Sequence, residues 1–202
     1  TEARLKGAKI IVVTVEYSAT ANKGDEVIVI RPGTDDALAL GLAQVMIAEK
    51  LYNADFVKRY TDLPTLVRMD TLERLKASDV FPDYTNKPFT NWTAIIPKDQ
   101  KAPPTPQQNA IQVPEALVPE LADSIMWDAA QGEPVAVGHD NLGDHFNELG
   151  IDPALEGEFD ITLVDGTKIK ARPVFDLTRE YLDANLTPEQ CSKITWSPVE
   201  AV

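Results

Sequence analysis

The chain has 202 residues, of which 44% are hydrophobic and 25% are charged, a composition typical of a globular protein with a core of its own. Its formal net charge of −13 argues against nucleic acids and anionic membrane surfaces as partners. One cysteine, Cys191, excludes a disulfide framework or a cysteine-ligated cluster built from this chain alone, and no apolar run is long enough to span a bilayer directly.

Two short runs of β-branched residues near the start predict strands. They are Ile10–Val13, followed by Val15, and Val27–Ile30. Neither run alternates with polar residues, so both strands are expected to be buried on both faces, as in a parallel sheet. Residues 16–25 between them are too few for a long crossover helix and predict one or two turns that end at Gly24.

The turn after the second run has a more specific chemistry. Pro32 ends the strand ladder, Gly33 permits a positive φ, and Thr34 or Asp35 can cap the helix that follows. That helix, over residues 37–51, is apolar nearly all round, which predicts burial against a sheet. In α/β proteins, a helix that begins at the carboxyl end of a parallel strand commonly binds nucleotides or phosphates.

A carboxylate in such a turn has a second use. Asp35 could accept two hydrogen bonds from adjacent N–H groups of a guanine edge. The alternative is that Thr34 and Asp35 only cap the helix. Tyr17 and Ser18 leave the first strand at the same sheet edge and are placed to contact a ribose or a phosphate; their alternative is a plain surface loop with Tyr17 packed down.

Short elements are predicted over residues 54–76. Residues 54–60 predict a short helix, which ends at Thr61–Pro64 because proline disfavours helix at the preceding residue. Leu66-Val67 is a short apolar run, and residues 70–76 predict a surface helix. Asp62 is assigned to the turn before Pro64 in preference to a role as a functional acid.

Proline density changes the character of the chain after residue 80. Nine prolines lie between residues 81 and 134. They exclude long regular elements and predict a Pro-rich insertion over residues 81–158, with residues 98–108 as its most mobile part.

Both histidines lie in this region beside carboxylates. A metal site can be imagined from His139, Asp140, Asp144 and His145, but the histidines are six positions apart, which matches no familiar zinc spacing. The pattern therefore predicts a solvated acidic loop and no metal ligand in this chain.

The last part of the chain predicts a hairpin followed by helices. Alternation on both sides of Asp165-Gly166 indicates paired strands over Phe159–Val164 and Thr167–Phe175. Asp176 is expected to cap the next helix. Residues Thr187 to Gln190 form a capping box with proline at the first helical position, so a further helix starts there.

Two other features of this part bear on organisation. Cys191 is read as a small apolar residue of the last helix. Ser197, Pro198 and Glu200 resemble the opening of another helix that is then cut off, and the chain starts without methionine, so we expect an internal piece of a longer polypeptide.

Together these elements predict an α/β fold. It would be a Rossmann-like parallel-sheet cofactor-binding domain with a long Pro-rich insertion and a β-hairpin. The predicted divisions are an α/β core over residues 1–80, the insertion over 81–158, and a hairpin with helices over 159–202 that returns to the same domain.

The order of these pieces resembles a known family. The stretch AKIIVVTVEYSATANKGDEVIVIRPGTDDALALGLAQVMI is similar to the cofactor-binding segment of the molybdopterin oxidoreductases of the dimethyl sulfoxide reductase superfamily. The run FVKRYTDLPTLVRMDT resembles the branch that contains the catalytic alpha subunits of respiratory nitrate reductase and nitrite oxidoreductase. VDGTKIKARPVFDL and LTPEQCSKITWSPVEAV resemble the same branch.

The resemblance implies a cofactor and the residues that bind it. One guanosine end of a bis(molybdopterin guanine dinucleotide) cofactor with molybdenum would lie at the turn, with Asp35 as a direct ligand, Thr34, Gly33 and Pro32 around it, and Arg31 at the rim. Tyr17 and Ser18 fall where the family approaches ribose and phosphate. Counterparts of the residues that bind molybdenum and a 4Fe-4S cluster precede this chain in the family, so no catalytic residue is assigned here.

The resemblance also implies an activity. A molybdenum-dependent oxidoreductase would interconvert nitrite and nitrate by oxygen-atom transfer, and electrons would pass through iron–sulfur clusters to or from an iron–sulfur partner subunit. The implied setting is a bacterial membrane-associated complex, on its periplasmic or cytoplasmic face. This chain alone would be inactive.

Two other functions fit the same residues. The chain could be a stand-alone α/β nucleotide-binding module, in which the turn holds a phosphate and no redox chemistry occurs. It could also be a structural or subunit-contact piece in which Asp35 only caps a helix.

Overall fold

A computed structural model describes residues 2–86, 93–96, 111–115, 117, 121–138, 141 and 143–202. The fold is α/β, with small parallel and antiparallel sheets. Its α-helices are α1 (Glu2–Leu5), α2 (Asp35–Ala48), α3 (Ala54–Tyr60), α4 (Ala77–Val80), α5 (Asp144–Leu149), α6 (Val174–Asn185) and α7 (Pro188–Thr195). Its strands are β1 (Ile11–Thr14), β2 (Glu26–Val29), β3 (Leu66–Arg68), β4 (Thr93–Ile96), β5 (Ile111–Pro114), β6 (Ser124–Asp128), β7 (Glu133–Val137), β8 (Phe159–Thr162) and β9 (Lys168–Pro173).

The chain divides into two compact units. The first unit joins residues 1–52 to residues 178–202, and the second contains residues 53–177. The predicted Rossmann-like sheet order, the Pro-rich insertion and the domain boundaries stay predictions. Among the described residues, no helix combines the length and the apolar character needed to cross a membrane.

In the first unit, the predicted order of strand, glycine turn and helix is confirmed. β1 and β2 pair in parallel, from Ile11 opposite Glu26 to Thr14 opposite Val29. A single 3₁₀ turn at Ala21–Lys23 and then Gly24 connect them, as the short spacing predicts. The turn at residues 31–34 leads from β2 into α2.

The core of this unit lies where α2 meets α7. Ile28, Ile30, Leu38 and Cys191 form its buried cluster. The Cys191 side chain is fully buried, and its thiol donates to the Ala37 carbonyl at 3.4 Å, which confirms it as a small core residue. Burial raises the pKa of the Cys191 thiol above its usual value, so this thiol stays protonated at neutral pH.

The prediction that β1 and β2 are buried on both faces is wrong for the described residues, and α2, which was predicted to be buried against a sheet, is buried along one side only. Ile11 is 54% exposed and Val29 is 46% exposed, and Met46 on α2 is 47% exposed. In its described part, this unit consists of a two-stranded sheet packed against the helices α2 and α7. Each strand and helix therefore has one side that faces the core and one side that faces solvent. An apolar run shows that a segment is suited to burial, but it does not show that other elements cover both of its faces.

In the second unit, the predicted hairpin is confirmed. β8 and β9 pair antiparallel, from Phe159 opposite Ala171 to Thr162 opposite Lys168, and Gly166 in the turn has a φ of +84°. β3 adds to the other side of β9, so that the sheet order is β3-β9-β8. The second predicted strand was too long at its end, because β9 stops at Pro173, whose ring removes a ladder donor.

The residues after β9 form helix α6, and Asp176 does not cap it. Asp176 lies in the first helical turn, is 4% exposed, and accepts a hydrogen bond from the Arg172 guanidinium at 3.1 Å. The capping prediction was wrong because the half-buried Arg172, four residues earlier in β9, offers the carboxylate a charged donor, which is a stronger partner than a backbone N–H.

The predicted surface helix over residues 70–76 is also wrong. This segment turns back on β3, where the Leu75 amide donates to the Leu66 carbonyl at 2.8 Å and the Arg68 amide donates to the Glu73 carbonyl at 2.9 Å. Leu75 is fully buried in the cluster that also contains Leu66 and Ile125. Burial of this one leucine against the sheet therefore outweighs the local helix propensity.

The region rich in proline contains short paired strands where it is described. β4 and β5 pair in parallel, and β6 and β7 form an antiparallel hairpin. Met126 and Val137 of that hairpin pack with Phe146 of α5 in a second buried cluster. The segment 98–108, predicted as the most mobile part, lies outside the described residues.

Of the two helix caps predicted near the end of the chain, the one at Thr187 is confirmed and the one at Ser197 is wrong. The Thr187 hydroxyl accepts from the Gln190 amide, and the Gln190 side chain accepts from the Thr187 amide at 2.9 Å, which is the predicted capping box. Ser197 is no helix cap. It is 2% exposed, and its hydroxyl lies 2.7 Å from that of Thr195, so the hydroxyl is used inside the fold before a 3₁₀ turn at Val199–Ala201.

Tyr84 in the second unit gives a pH-dependent prediction. Its hydroxyl donates to the Asp123 carboxylate at 2.7 Å, and burial, followed by this hydrogen bond, raises the pKa of Tyr84 to about 12. Because the native pKa exceeds the unfolded value of about 10, the stabilisation is fully present below pH 10 and is lost as pH rises through 12. We expect phenolate absorbance to place the Tyr84 titration near that value.

The control for this prediction is Tyr84→Phe. The loss of unfolding free energy between about pH 10 and pH 12 should be smaller in this variant, since one proton-linked group has been removed. An identical loss in both proteins, measured by urea unfolding, would contradict the assignment.

Candidate functional site

The candidate site lies at the carboxyl edge of the β1–β2 pair. Thr14 is opposite Val29, and the Ile30 amide donates to the Thr14 carbonyl at 2.9 Å. Because the strands are parallel, the segment after β1 and the turn after β2 leave the sheet at the same edge. The structure thus confirms that residues 15–18 and residues 31–35 start side by side.

The turn before α2 is open toward solvent. Gly33 has a φ of +74°, and a Cβ placed on it would have nothing within 4 Å, so a ligand can approach the backbone there. Thr34 occupies the N-cap position of α2 but makes no capping bond. Its hydroxyl donates to the Arg31 carbonyl at 2.7 Å, which closes the turn. Of the two residues predicted to cap the helix, Thr34 or Asp35, Thr34 holds the N-cap position, and its side chain makes no capping bond.

Asp35 is the first residue of α2 and is exposed, with Asp36 beside it in the same helical turn. The positive end of the helix dipole stabilises both carboxylates. Two adjacent negative charges disfavour a phosphate at this point. They suit a neutral ligand edge that carries N–H donors, such as that of guanine.

Tyr17 and Ser18 have different environments. Tyr17 is 68% exposed, which contradicts the alternative that it packs down. The Ser18 hydroxyl accepts from the Ala21 amide at 3.3 Å, and the Ser18 carbonyl accepts from the Asn22 amide at 3.0 Å. Ser18 therefore shapes the turn, while its hydroxyl keeps a proton that it can donate outward.

Arg31 contacts Trp196, a residue of this region that sequence analysis did not identify. Its amide donates to the Thr195 carbonyl at 2.7 Å, and its guanidinium carbon lies 5.3 Å from the ring centroid of Trp196. Trp196 follows α7 and is 70% exposed. No local pattern could have placed this tryptophan beside Arg31, because the two residues lie at opposite ends of the sequence.

The second unit has a cavity of its own, of about 220 Å³. Its lining includes Tyr60, Thr65, Ser124 and Met126. Asp62 and Arg74 also line this cavity, and the Asp62 carboxylate pairs with the Arg74 guanidinium at 2.8 Å. Sequence analysis had assigned Asp62 to a turn. This charge pair and the largely apolar lining give no catalytic arrangement.

The histidine region carries no metal site that the structure describes. His139 and Asp140 lie outside the described residues, as do the side chains of Asp144 and His145. Among the described side chains, there is no group of three or more histidine, cysteine, aspartate or glutamate residues that could hold a metal ion.

Comparison with known proteins defines the class. The chain belongs with the alpha subunits of the molybdopterin oxidoreductases, in the dimethyl sulfoxide reductase superfamily, and its relatives match it along nearly its whole length. No protein-family model matches the chain.

Three relatives illustrate the similarity. The chain is 38% identical over 201 residues to the perchlorate reductase alpha subunit of Dechloromonas aromatica, and this match covers 100% of the chain and 20% of the relative. It is 32% identical over 196 residues to the respiratory nitrate reductase alpha subunit of Haloferax mediterranei, a match that covers 96% of the chain and 17% of the relative. For the respiratory nitrate reductase 1 alpha chain of Escherichia coli, identity is 28% over 214 residues, covering 88% and 17%. The chain thus spans about a fifth of the length of the curated relatives it matches.

Proposed function

We propose that this chain is part of the catalytic subunit of a molybdenum oxidoreductase and binds one guanosine end of bis(molybdopterin guanine dinucleotide). One observation carries the proposal. Asp35 stands exposed at the start of α2, at the carboxyl edge of two parallel strands, beside an open glycine turn. That combination fits a purine whose edge donates two hydrogen bonds.

Each residue at the edge has a role in this proposal. Asp35 accepts from the guanine N–H groups, Gly33 and Pro32 let the base approach the backbone, and Thr34 holds the turn closed. Arg31 lies at the rim, where its charge attracts the pyrophosphate. Tyr17 and Ser18 contact ribose or phosphate from the neighbouring segment.

The chemistry belongs to the bound group. When present, the molybdenum cofactor supplies two-electron oxygen-atom transfer, which in this proposal interconverts nitrite and nitrate. The residues of this chain bind and orient it and keep its guanosine end in place. A 4Fe-4S cluster bound outside this chain and an iron–sulfur partner subunit carry the electrons, in a bacterial membrane-associated complex.

The alternative of a stand-alone module that holds a phosphate in the turn is less compatible with the charges. Asp35 and Asp36 are both exposed in the first turn of α2, and Arg31 is the single cationic residue among residues 31–36 that could offset them. A phosphate there would meet two carboxylates and one arginine.

Asp35→Asn tests the proposal. In the full-length enzyme we expect this variant to retain roughly tenfold less guanine nucleotide and molybdenum per polypeptide, because a bidentate contact contributes about 1–3 kcal/mol of discrimination. Metal analysis and the GMP released by acid hydrolysis measure this. Thermal stability of the apoprotein should change little, since the side chain is exposed.

The matched control is Asp36→Asn, which removes the same charge from the next exposed position of the same helical turn. It should retain cofactor at the wild-type level. Normal molybdenum content in Asp35→Asn, or an equal loss in both variants, would remove Asp35 from the site.

A further inference from the structure

We propose that Trp196 and Arg31 form a stacking surface for the purine base that Asp35 binds at its edge. The inference rests on the proposed guanosine site and adds to it a residue from the far end of the sequence. It assigns two separable tasks to the site: the stacked pair binds the flat face of the base, and the carboxylate selects guanine.

The position of Trp196 is fixed by backbone contacts. The Arg31 amide donates to the Thr195 carbonyl at 2.7 Å, and the Trp196 amide donates to the Ser192 carbonyl at 2.8 Å. Thr195 itself is fully buried, and its hydroxyl accepts from the Ser197 amide at 3.2 Å. The end of α7 is therefore held against the turn that leads to Asp35, and the indole has a defined place at its rim.

Helix termination does not explain why this residue is tryptophan. Trp196 is the C-cap of α7 and has a φ of +64°, in the left-handed region where glycine is favoured and a bulky side chain is rare. Core packing does not explain it either, because the side chain is 70% exposed. A large ring kept in a strained and exposed position indicates a use in binding.

The chemistry of the pair points to a base. The Arg31 guanidinium carbon lies over the face of the indole, 5.3 Å from its centroid, which is a cation–π distance. Nucleic-acid bases stack on tryptophan and on guanidinium planes with little dependence on base identity. The Arg31 charge also attracts the phosphates attached to the base, which offsets the two carboxylates nearby.

The experiment compares GDP with ADP on full-length apoprotein from cells that do not make the cofactor. In calorimetric titrations, Trp196→Gly should weaken GDP and ADP alike, by roughly tenfold, because stacking is indifferent to the base. Its melting temperature should stay the same or rise, since glycine relieves the positive φ. Trp196→Phe keeps a ring and should retain most of the affinity.

Asp35→Asn serves as the comparison, because it should lower affinity for GDP alone and remove the preference over ADP. GDP should also quench the fluorescence of the exposed Trp196. Trp127→Phe should preserve that quenching, since Trp127 stacks on Phe159 at 4.4 Å within residues 53–177.

Each outcome decides the inference. Wild-type affinity for both nucleotides in Trp196→Gly would overturn the stacking surface and leave the proposed guanosine site in place. Absence of binding of either nucleotide to the wild-type apoprotein would also overturn it, while the molybdenum content of Asp35→Asn still decides the proposed function. Weakening of GDP alone in Trp196→Gly would assign Trp196 to the edge contact and not to stacking.

Discussion

Replacement of Phe146 by alanine is expected to lower the free energy of unfolding by about 3–5 kcal/mol, the usual cost of removing a buried ring. The Phe146 side chain is 1% exposed and packs with Met126 and Val137 of the β6–β7 hairpin. Its removal leaves a void between α5 and the hairpin that the neighbouring side chains cannot fill without leaving their rotamers. Urea unfolding followed by circular dichroism measures the change.

Leu149→Ala is the control for this prediction. Leu149 lies on the same helix but is 48% exposed, so its truncation should cost less than about 1 kcal/mol. Equal costs for the two variants would mean that α5 is not packed on the hairpin through Phe146.

Replacement of Gly41 by valine is expected to lower the free energy of unfolding by about 3 kcal/mol, at the upper end of the cost of overpacking. Glycine inside a helix is normally unfavourable, so a substitution that adds a side chain would usually stabilise α2. Here a Cβ would lie 2.7 Å from the Cys191 sulfur and 2.9 Å from its Cβ. Both helices would have to separate to make room.

Two variants test the cause of this effect. Ala39→Val places the same β-branched residue at an exposed position of α2, so it reports helix propensity alone and should cost less than about 1 kcal/mol. Cys191→Ala in the Gly41→Val background should recover part of the loss, because the nearest clashing atom is then absent. If Gly41→Val melts at the same temperature as Ala39→Val, close packing of α2 on α7 is wrong.

Sequence reasoning succeeded where the chemistry is local. The Asp165-Gly166 hairpin and the Thr187–Gln190 capping box each depend on residues within a few positions of one another, and both are confirmed. The turn at residues 31–34 was placed correctly between a strand and a helix, and its glycine has the expected positive φ. For such motifs, turn and cap preferences are sufficient.

Sequence reasoning failed where the local structure is determined by a contact with a residue distant in the sequence. Leu75 gave a helical pattern, but its backbone pairs with Leu66 across a turn. Ser197 had the sequence signature of a cap, but its hydroxyl is used by Thr195. The position of Trp196 could not be predicted, because it is defined by a contact with Arg31, and single-sequence patterns do not encode pairs so far apart.

The backbone bond from Arg31 to Thr195 sets the order in which the protein can mature during translation. The two halves of the first unit are separated by the whole of residues 53–177, so α7 is synthesised long after the Asp35 turn has left the ribosome. Joining them closes a very long loop, which slows folding. The proposed guanosine-binding edge is therefore expected to be complete only after α7 has been synthesised.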